Sequence, residues 1–244
     1  MAIALVTTGT GGEEGGATPF TVTLGAAPSA NDVILVFVSF NNTTSGSHPV
    51  PSITDFTSLG TSTASVWERM TCLWKAATGS EGTSLSVTFT GNDDFSCGGA
   101  IVLSGCDTAQ PTNIVTTPDA SSNTTASIPA ITTAANNSWD VAAVCFGGNN
   151  SYNASNNYAS WGSSLTERVD HAAPLNGALE TYAGVGIATA LRATAGSQAA
   201  TSVTQSVSDV SGAIRVEIKE ATAATTSLPP IYVPSRATRA MLRR

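Results

Sequence analysis

VILVFVSF, residues 33–40, opens with six consecutive apolar residues, is entered through Asn31-Asp32 and is left through Asn41-Asn42-Thr43-Thr44. A short apolar run rich in β-branched residues and bounded by turn formers reads as a buried strand. The pattern returns as WDVAAVCF, Trp139 to Phe146, entered through Asn136-Asn137 and left through Gly147-Gly148-Asn149-Asn150. These two runs are the landmarks of an all-β chain.

The segments around them sort into strands and turns. Ile3 to Thr8 is a candidate first strand, and Gly9 to Gly16 (GTGGEEGG) reads as an acidic loop. That loop lacks GxGxxG spacing and no helical pattern follows it, so it is not a phosphate cradle. FTVTL (20–24) alternates as a half-buried strand should, whereas Asn41 to Leu59 reads as a long connection broken by Pro49 and Pro51. VWERMTCLWK (66–75) resumes the strand pattern with Val66, Met70, Cys72 and Trp74 on one face. The turn Ala76–Gly82 then leads into SLSVTFT, with Leu85, Val87 and Phe89 inward, and CGGAIVLS (97–104) completes the first half.

Cys106 to Ser127 reads as a crossover. Beyond it lie strand patterns at 128–133, 139–146, 179–192 and 201–207. GAIRVEIK (212–219) closes the series, with Ile214, Val216 and Ile218 inside and Arg215, Glu217 and Lys219 outside.

The halves echo each other. The Val33 and Trp139 runs are 106 residues apart, Gly99-Ala100-Ile101 and Gly212-Ala213-Ile214 are 113 apart, and KAATGSEGTSLSVTFT (75–90) is answered by RATAGSQAATSVTQSV (192–207). The expectation is an internal duplication, with pseudo-repeats at roughly 17–105 and 126–220. Each half offers four or five strands with one apolar face, and two such faces are buried by packing together as a sandwich about 10 Å thick. The expected fold is an antiparallel, jelly-roll-like β-sandwich over residues 1–226, followed by an extended C-terminal arm at 227–244.

Composition bounds the partners. Only 11% of residues are charged, and all seventeen acids lie before Ala221 alongside six of the ten bases. The last eighteen residues hold Arg236, Arg239, Arg243 and Arg244 and no acid. An acidic body does not suit nucleic acid. No segment reaches the apolar length of a membrane span, and MAIALVTTGT lacks the basic start and long apolar run of a signal peptide. Cys72, Cys97, Cys106 and Cys145 show no CxxC spacing and read as reduced, buried residues.

ANDVILVFVSF (30–40), WKAATGSEGTSLSVTFTG (74–91), GGAIVLSG (98–105), SSLTERVD (163–170) and SGAIRVEIK (211–219) together resemble a β-sandwich module of bacteriophage virion and bacterial surface proteins. The resemblance spans roughly 17–220 and rests on turns and strand edges. It implies a virion or surface role, made in the host cytoplasm, and carries no catalytic residue across.

No catalytic signature emerges from the residues themselves. His48 and His171 lie in polar sequence, no GxSxG elbow accompanies Asp170-His171, and Glu13-Glu14 and Asp93-Asp94 read as solvated turn charges. No enzymatic role, cofactor or dedicated metal set is expected.

Two stretches read as contact surfaces. Loop 147–164 interleaves Tyr152, Tyr158 and Trp161 with Asn, Ser and Gly, the composition of an adaptable binding loop and of a host-glycan contact. The arm SLPPIYVPSRATRAMLRR is held extended by Pro229, Pro230 and Pro234. Its Ile231, Tyr232, Val233, Met241 and Leu242 suit a groove, and its Arg236, Arg239, Arg243 and Arg244 suit carboxylates.

The expected function is therefore a non-enzymatic virion component, a capsid decoration, head fibre or tail-associated piece, assembled through the arm. Its partners would be capsid or tail proteins or further copies of itself in a homo-oligomer. A carbohydrate-binding or host-adhesion module acting through loop 147–164 is the alternative. Neither nucleic acid nor membrane is an expected partner.

Overall fold

Every residue of the Val33–Asn41 strand is buried, on both faces, so this strand must lie between two layers rather than beneath one. Residues 2–14, 19–41, 49–65, 68–91, 95–148, 157–173 and 182–222 are described by the structure, a computed structural model. The first half of the chain supplies β1 (Ala4–Glu14), β2 (Phe20–Leu24), β3 (Val33–Asn41), β4 (Val50–Ser52), β5 (Thr57–Thr63), β6 (Glu68–Ala76), β7 (Ser84–Thr90) and β8 (Phe95–Ser104). These form one antiparallel sheet in the order β4-β7-β2-β1-β8-β3-β6-β5.

The second half supplies β9 (Ile114–Ile128), β10 (Ile131–Thr133), β11 (Ser138–Gly148), β12 (Tyr158–Ala159), β13 (Thr166–Ala172), β14 (Tyr182–Arg192), β15 (Gly196–Gln198) and β16 (Thr201–Ile218). Here the order is β12-β16-β11-β14-β13, with β9 also on β16 and β10 paired with β15. Among the described residues there is no helix.

The chain is thus an all-β, antiparallel fold of two main sheets, one from each half, with β10 and β15 forming a separate two-stranded ribbon. The sheets meet through a central layer. Val33, Leu35, Phe37, Met70, Cys72 and Ile101 face Val141, Ala143, Val185, Ile187, Ile214 and Val216 across it. The strand orders β1-β8-β3-β6-β5 and β9-β16-β11-β14-β13 run in parallel from one half to the other.

Each half holds more than one apolar face, contrary to the expectation from sequence. The first sheet rolls over so that Phe20, Val22, Leu85 and Val87 of β2 and β7 cover Ile34, Val36, Val38 and Phe40 on the far side of β3. The second rolls likewise, with Ala126, Ile128 and Val203 covering Ala142, Val144 and Ala213. Three apolar layers result, and period-2 alternation vanishes from β3 and β8 because both of their faces are inside.

Other expectations are corrected. Gly9–Glu14 is strand, paired with Phe95–Ala100, and its glycines permit close approach of β2: a Cβ on Gly11 would overlap the Thr21 carbonyl. The supposed connection 41–59 contains β4 and the start of β5, and the supposed crossover 106–127 contains β9, the partner of β16. Arg215 and Glu217 are buried, at 0% and 2% exposure, because the curl of the second sheet covers the face that a flat sheet would leave wet.

The turn at 76–82 is present as expected. Gly79 and Gly82 take positive φ, and the Glu81 carboxylate accepts from the N–H groups of Thr78, Gly79 and Ser80.

Candidate functional site

Strand register gives the molecule two unlike ends. Glu14 pairs with Phe95, Asn41 with Glu68 and Phe95, and Gly148 with Tyr182. Gly147 abuts Asn41 and Glu68, and Gly12 abuts Ala173, so these termini of both sheets share one end. The strands flanking 15–18, 42–48, 66–67, 92–94, 149–156 and 174–181 all stop there. This is the loop end. At the opposite end Ala4 pairs with Ser104 and Trp139 with Ile218, and the described chain leaves after Thr222. This is the exit end.

The sequence placed a recognition surface on Tyr152, Tyr158 and Trp161. Tyr152 lies outside the described residues. Tyr158 is 4% exposed, a core side chain rather than a displayed one. Its ring lies 5.4 Å from that of Phe146 and 5.9 Å from that of Trp161, and its hydroxyl donates to Val144 O at 3.3 Å.

The cause is in β14. A Cβ on Gly184 would overlap the Phe146 ring, and one on Gly186 would sit 2.6 Å from Tyr158 Cδ2, so the two glycines leave a hollow that the rings fill. Trp161 is half-buried against the same layer, and its Nε1 donates to Glu167 Oε2 at 2.8 Å. The alternating glycines of AGVGI were the sequence signal for this stack.

Asp170 and His171 are neighbours on β13, so their side chains leave opposite faces. The Asp170 carboxylate is occupied, accepting from Asn157 N, Asn157 Nδ2 and Tyr158 N and so fixing the 157–158 segment. His48, Asp93 and Asp94 lie outside the described residues. So do all the arm residues, Ile231, Tyr232, Val233, Arg236, Arg239, Met241, Leu242, Arg243 and Arg244.

Two buried polar clusters escaped the sequence reading. Near the exit end, the fully buried Arg215 grips Asp140 through Nε–Oδ1 at 2.8 Å and Nη2–Oδ2 at 2.6 Å. Its Nη1 donates to the carbonyls of Pro129 and Ala199. Arg192 approaches the same carboxylate from β14 and adds a bond to Ser163 O. The cluster ties β11, β14 and β16 to three connections. Its chemistry is that of a lock: the acid is saturated and nothing reactive is free.

At the loop end the situation is reversed. Glu68 is wholly buried between the sheets, and neither carboxyl oxygen has a hydrogen-bond partner among the described residues. Burial pushes its pKa well up, so it is held as the neutral acid. The Asp209 carboxylate pushes the same way, and the Cys145 thiol and Gly147 backbone nearby offset burial only in part. That thiol donates instead to Gly212 O, at 3.4 Å. The nearby Ser39 hydroxyl is also buried without a partner.

All four cysteines are free and buried, with pKa values raised by desolvation, that of Cys106 to about 12. No trio of His, Cys, Asp or Glu among the described residues is arranged to hold a metal, and no helix there is long and apolar enough to cross a membrane.

A recess of about 250 Å³ opens at the exit end between loop 107–112 and residues 217–219. Asp107, Gln110 and Thr112 line it, facing Glu217 and Lys219. No family model, curated protein or solved structure matches the chain.

Proposed function

We propose that this chain is a non-enzymatic structural component of a bacteriophage virion, an accessory piece of capsid or tail, assembled through its C-terminal segment 227–244. The observation that carries the reading is the polarity of the body. The strands that lead into the connections richest in Asn, Ser and Gly end on one side of the body, and the described chain leaves toward the basic C-terminal segment from the other. A protein held by its tail would present its loops outward.

The described charged groups support a passive role. Asp140, Asp170, Arg192, Arg215 and Glu217 are engaged in holding strands and connections together. With Tyr158 in the core and Trp161 half-buried, an aromatic glycan platform loses two of its three members, so the adhesive alternative is the weaker one.

The test is incorporation. Phage particles assembled with a chain truncated after Thr222 should lack the protein when purified and examined by mass spectrometry. Incorporation equal to the full-length chain would refute the reading.

A further inference from the structure

The recess at the exit end lies beside the point where the C-terminal segment leaves. Asp107 N donates to Lys219 O at 2.8 Å and Ala221 N to Gly105 O at 2.9 Å, while Cys106 bridges Glu220. Residues 219–221 are thereby stitched to 105–107, and the chain leaves at Thr222 on the border of the recess. One Asp107 oxygen caps Ala109 N, and the other has no bond to a described residue. At the floor, Glu217 is 2% exposed and its carboxylate is oriented by Ala134 N, Ala135 N and Asn113 Nδ2. Desolvation there is outweighed by hydrogen bonds from Asn113, Ala134 and Ala135, which together hold Glu217 below its ordinary pKa, so this carboxylate is anionic.

Twenty-two residues follow Thr222, with four arginines and no acid. The first apolar cluster, Ile231-Tyr232-Val233, begins nine residues on, directly after Pro229-Pro230. At a polyproline rise of about 3.1 Å per residue, the nine residues to that cluster can span up to roughly 28 Å, enough to reach a neighbouring copy. Exit and recess are adjacent, so a two-fold axis at this end sets each exit against the other copy's recess, the geometry of a self-complementary interface.

We propose that the recess receives the arginine-rich C-terminal segment of a second copy of this chain, so that two copies exchange segments reciprocally across the exit end. The proposal rests on the reading of residues 227–244 as a docking arm and names the surface that takes it. Arginine from the segment pairs with Asp107 at the rim and with Glu217 behind it, as planar guanidinium suits carboxylate. The apolar residues lie against Pro111 in the lining of the recess.

Light scattering on the eluting protein tests this. The full chain should run as a dimer. The chain truncated after Thr222, which keeps all sixteen strands, and the full-length variants Thr112→Trp and Asp107→Arg should run as monomers, each still melting in a single cooperative transition. A synthetic peptide of residues 223–244 should bind the truncated body, with at least tenfold loss when the body carries Thr112→Trp. Restored dimer when Asp107→Arg is combined with Arg236→Glu and Arg239→Glu would support the pairing directly. A monomeric full chain, or a dimer that survives both recess variants, overturns the exchange. If the full chain is monomeric but particle incorporation still requires 227–244, the exchange fails and the arm reading stands; if incorporation ignores the segment, that reading fails as well.

Discussion

Replacing Glu68 by Gln should stabilise the protein at neutral pH and not at acid pH. The native state holds this carboxyl neutral, because burial raises its pKa well above 4.5 and the groups facing it supply no compensating cation. Ser39 and Asn41 approach from β3, Cys145 and Gly147 from β11, and Asp209 and Gly212 from β16. The unfolded chain has no such constraint and ionises the group freely. Because the folded pKa is the higher one, Glu68 favours the native state most below pH 4.5. That advantage is lost as pH climbs toward the folded value.

Each pH unit between the unfolded and the folded pKa costs the wild type about 1.4 kcal/mol of stability. Gln is isosteric and does not titrate, but it adds a buried N–H donor at a cost of about 1 kcal/mol. The variant should therefore be about 1 kcal/mol less stable than wild type at pH 4 and should gain on it by about 1.4 kcal/mol per unit as pH rises from 4.5 toward the folded pKa. Urea unfolding of both proteins across this range measures the difference, and all other titrating groups cancel in it. A stability difference that does not change with pH would refute the burial argument.

Removing Asp140 with Ala strands Arg215 and Arg192 around an empty centre and should cost about 3–5 kcal/mol in chemical denaturation, whereas Arg215→Met, which leaves Asp140 paired with Arg192, should cost less. Gly186→Ala drives a methyl into the Tyr158 ring; it should lower stability by about 1–3 kcal/mol and raise tyrosine exposure in near-ultraviolet spectra. A thiol reagent should label none of the four cysteines in the native protein and all four after unfolding; rapid native labelling of Cys97 or Cys145 would contradict their burial.

The sequence was most legible where burial was most complete. Val33–Phe40 and Trp139–Phe146 are the interior strands β3 and β11, and the turn before β7 follows from its glycines and Glu81. It was least legible where a strand keeps one side wet and carries hydroxyls instead of aliphatics. β9 reads IVTTPDASSNTTASI, and Ser121 to Thr125 are all exposed, so no alternation marks its middle; only its threonines favour the extended state. In β1 the glycines that announce a loop are demanded by the closeness of β2. Tyr158 misled for a related reason: its sequence neighbours are polar, but its partners, Phe146 and Gly186, come from other strands. Periodicity sees one chain segment at a time, and a sheet that curls over itself makes inside and outside a long-range property.

That curl also limits where such a molecule can touch anything. The faces of β3, β8 and β11 are internal, so broad sheet surfaces are not on offer. The lateral edges are largely closed. On one side the Ser62 hydroxyl donates to Thr117 O, joining β5 to β9; on the other the Cys97 thiol donates to His171 O and Gly12 lies against Ala173, joining β8 and β1 to the β13 side. What is left is the two ends. A body with 11% charged residues has little long-range field to steer a partner, so association must rely on shape and on charges concentrated where the partner docks. The four arginines of the last eighteen residues are such a concentration, and Asp107, with the deeper Glu217, sets carboxylates in the recess beside the exit.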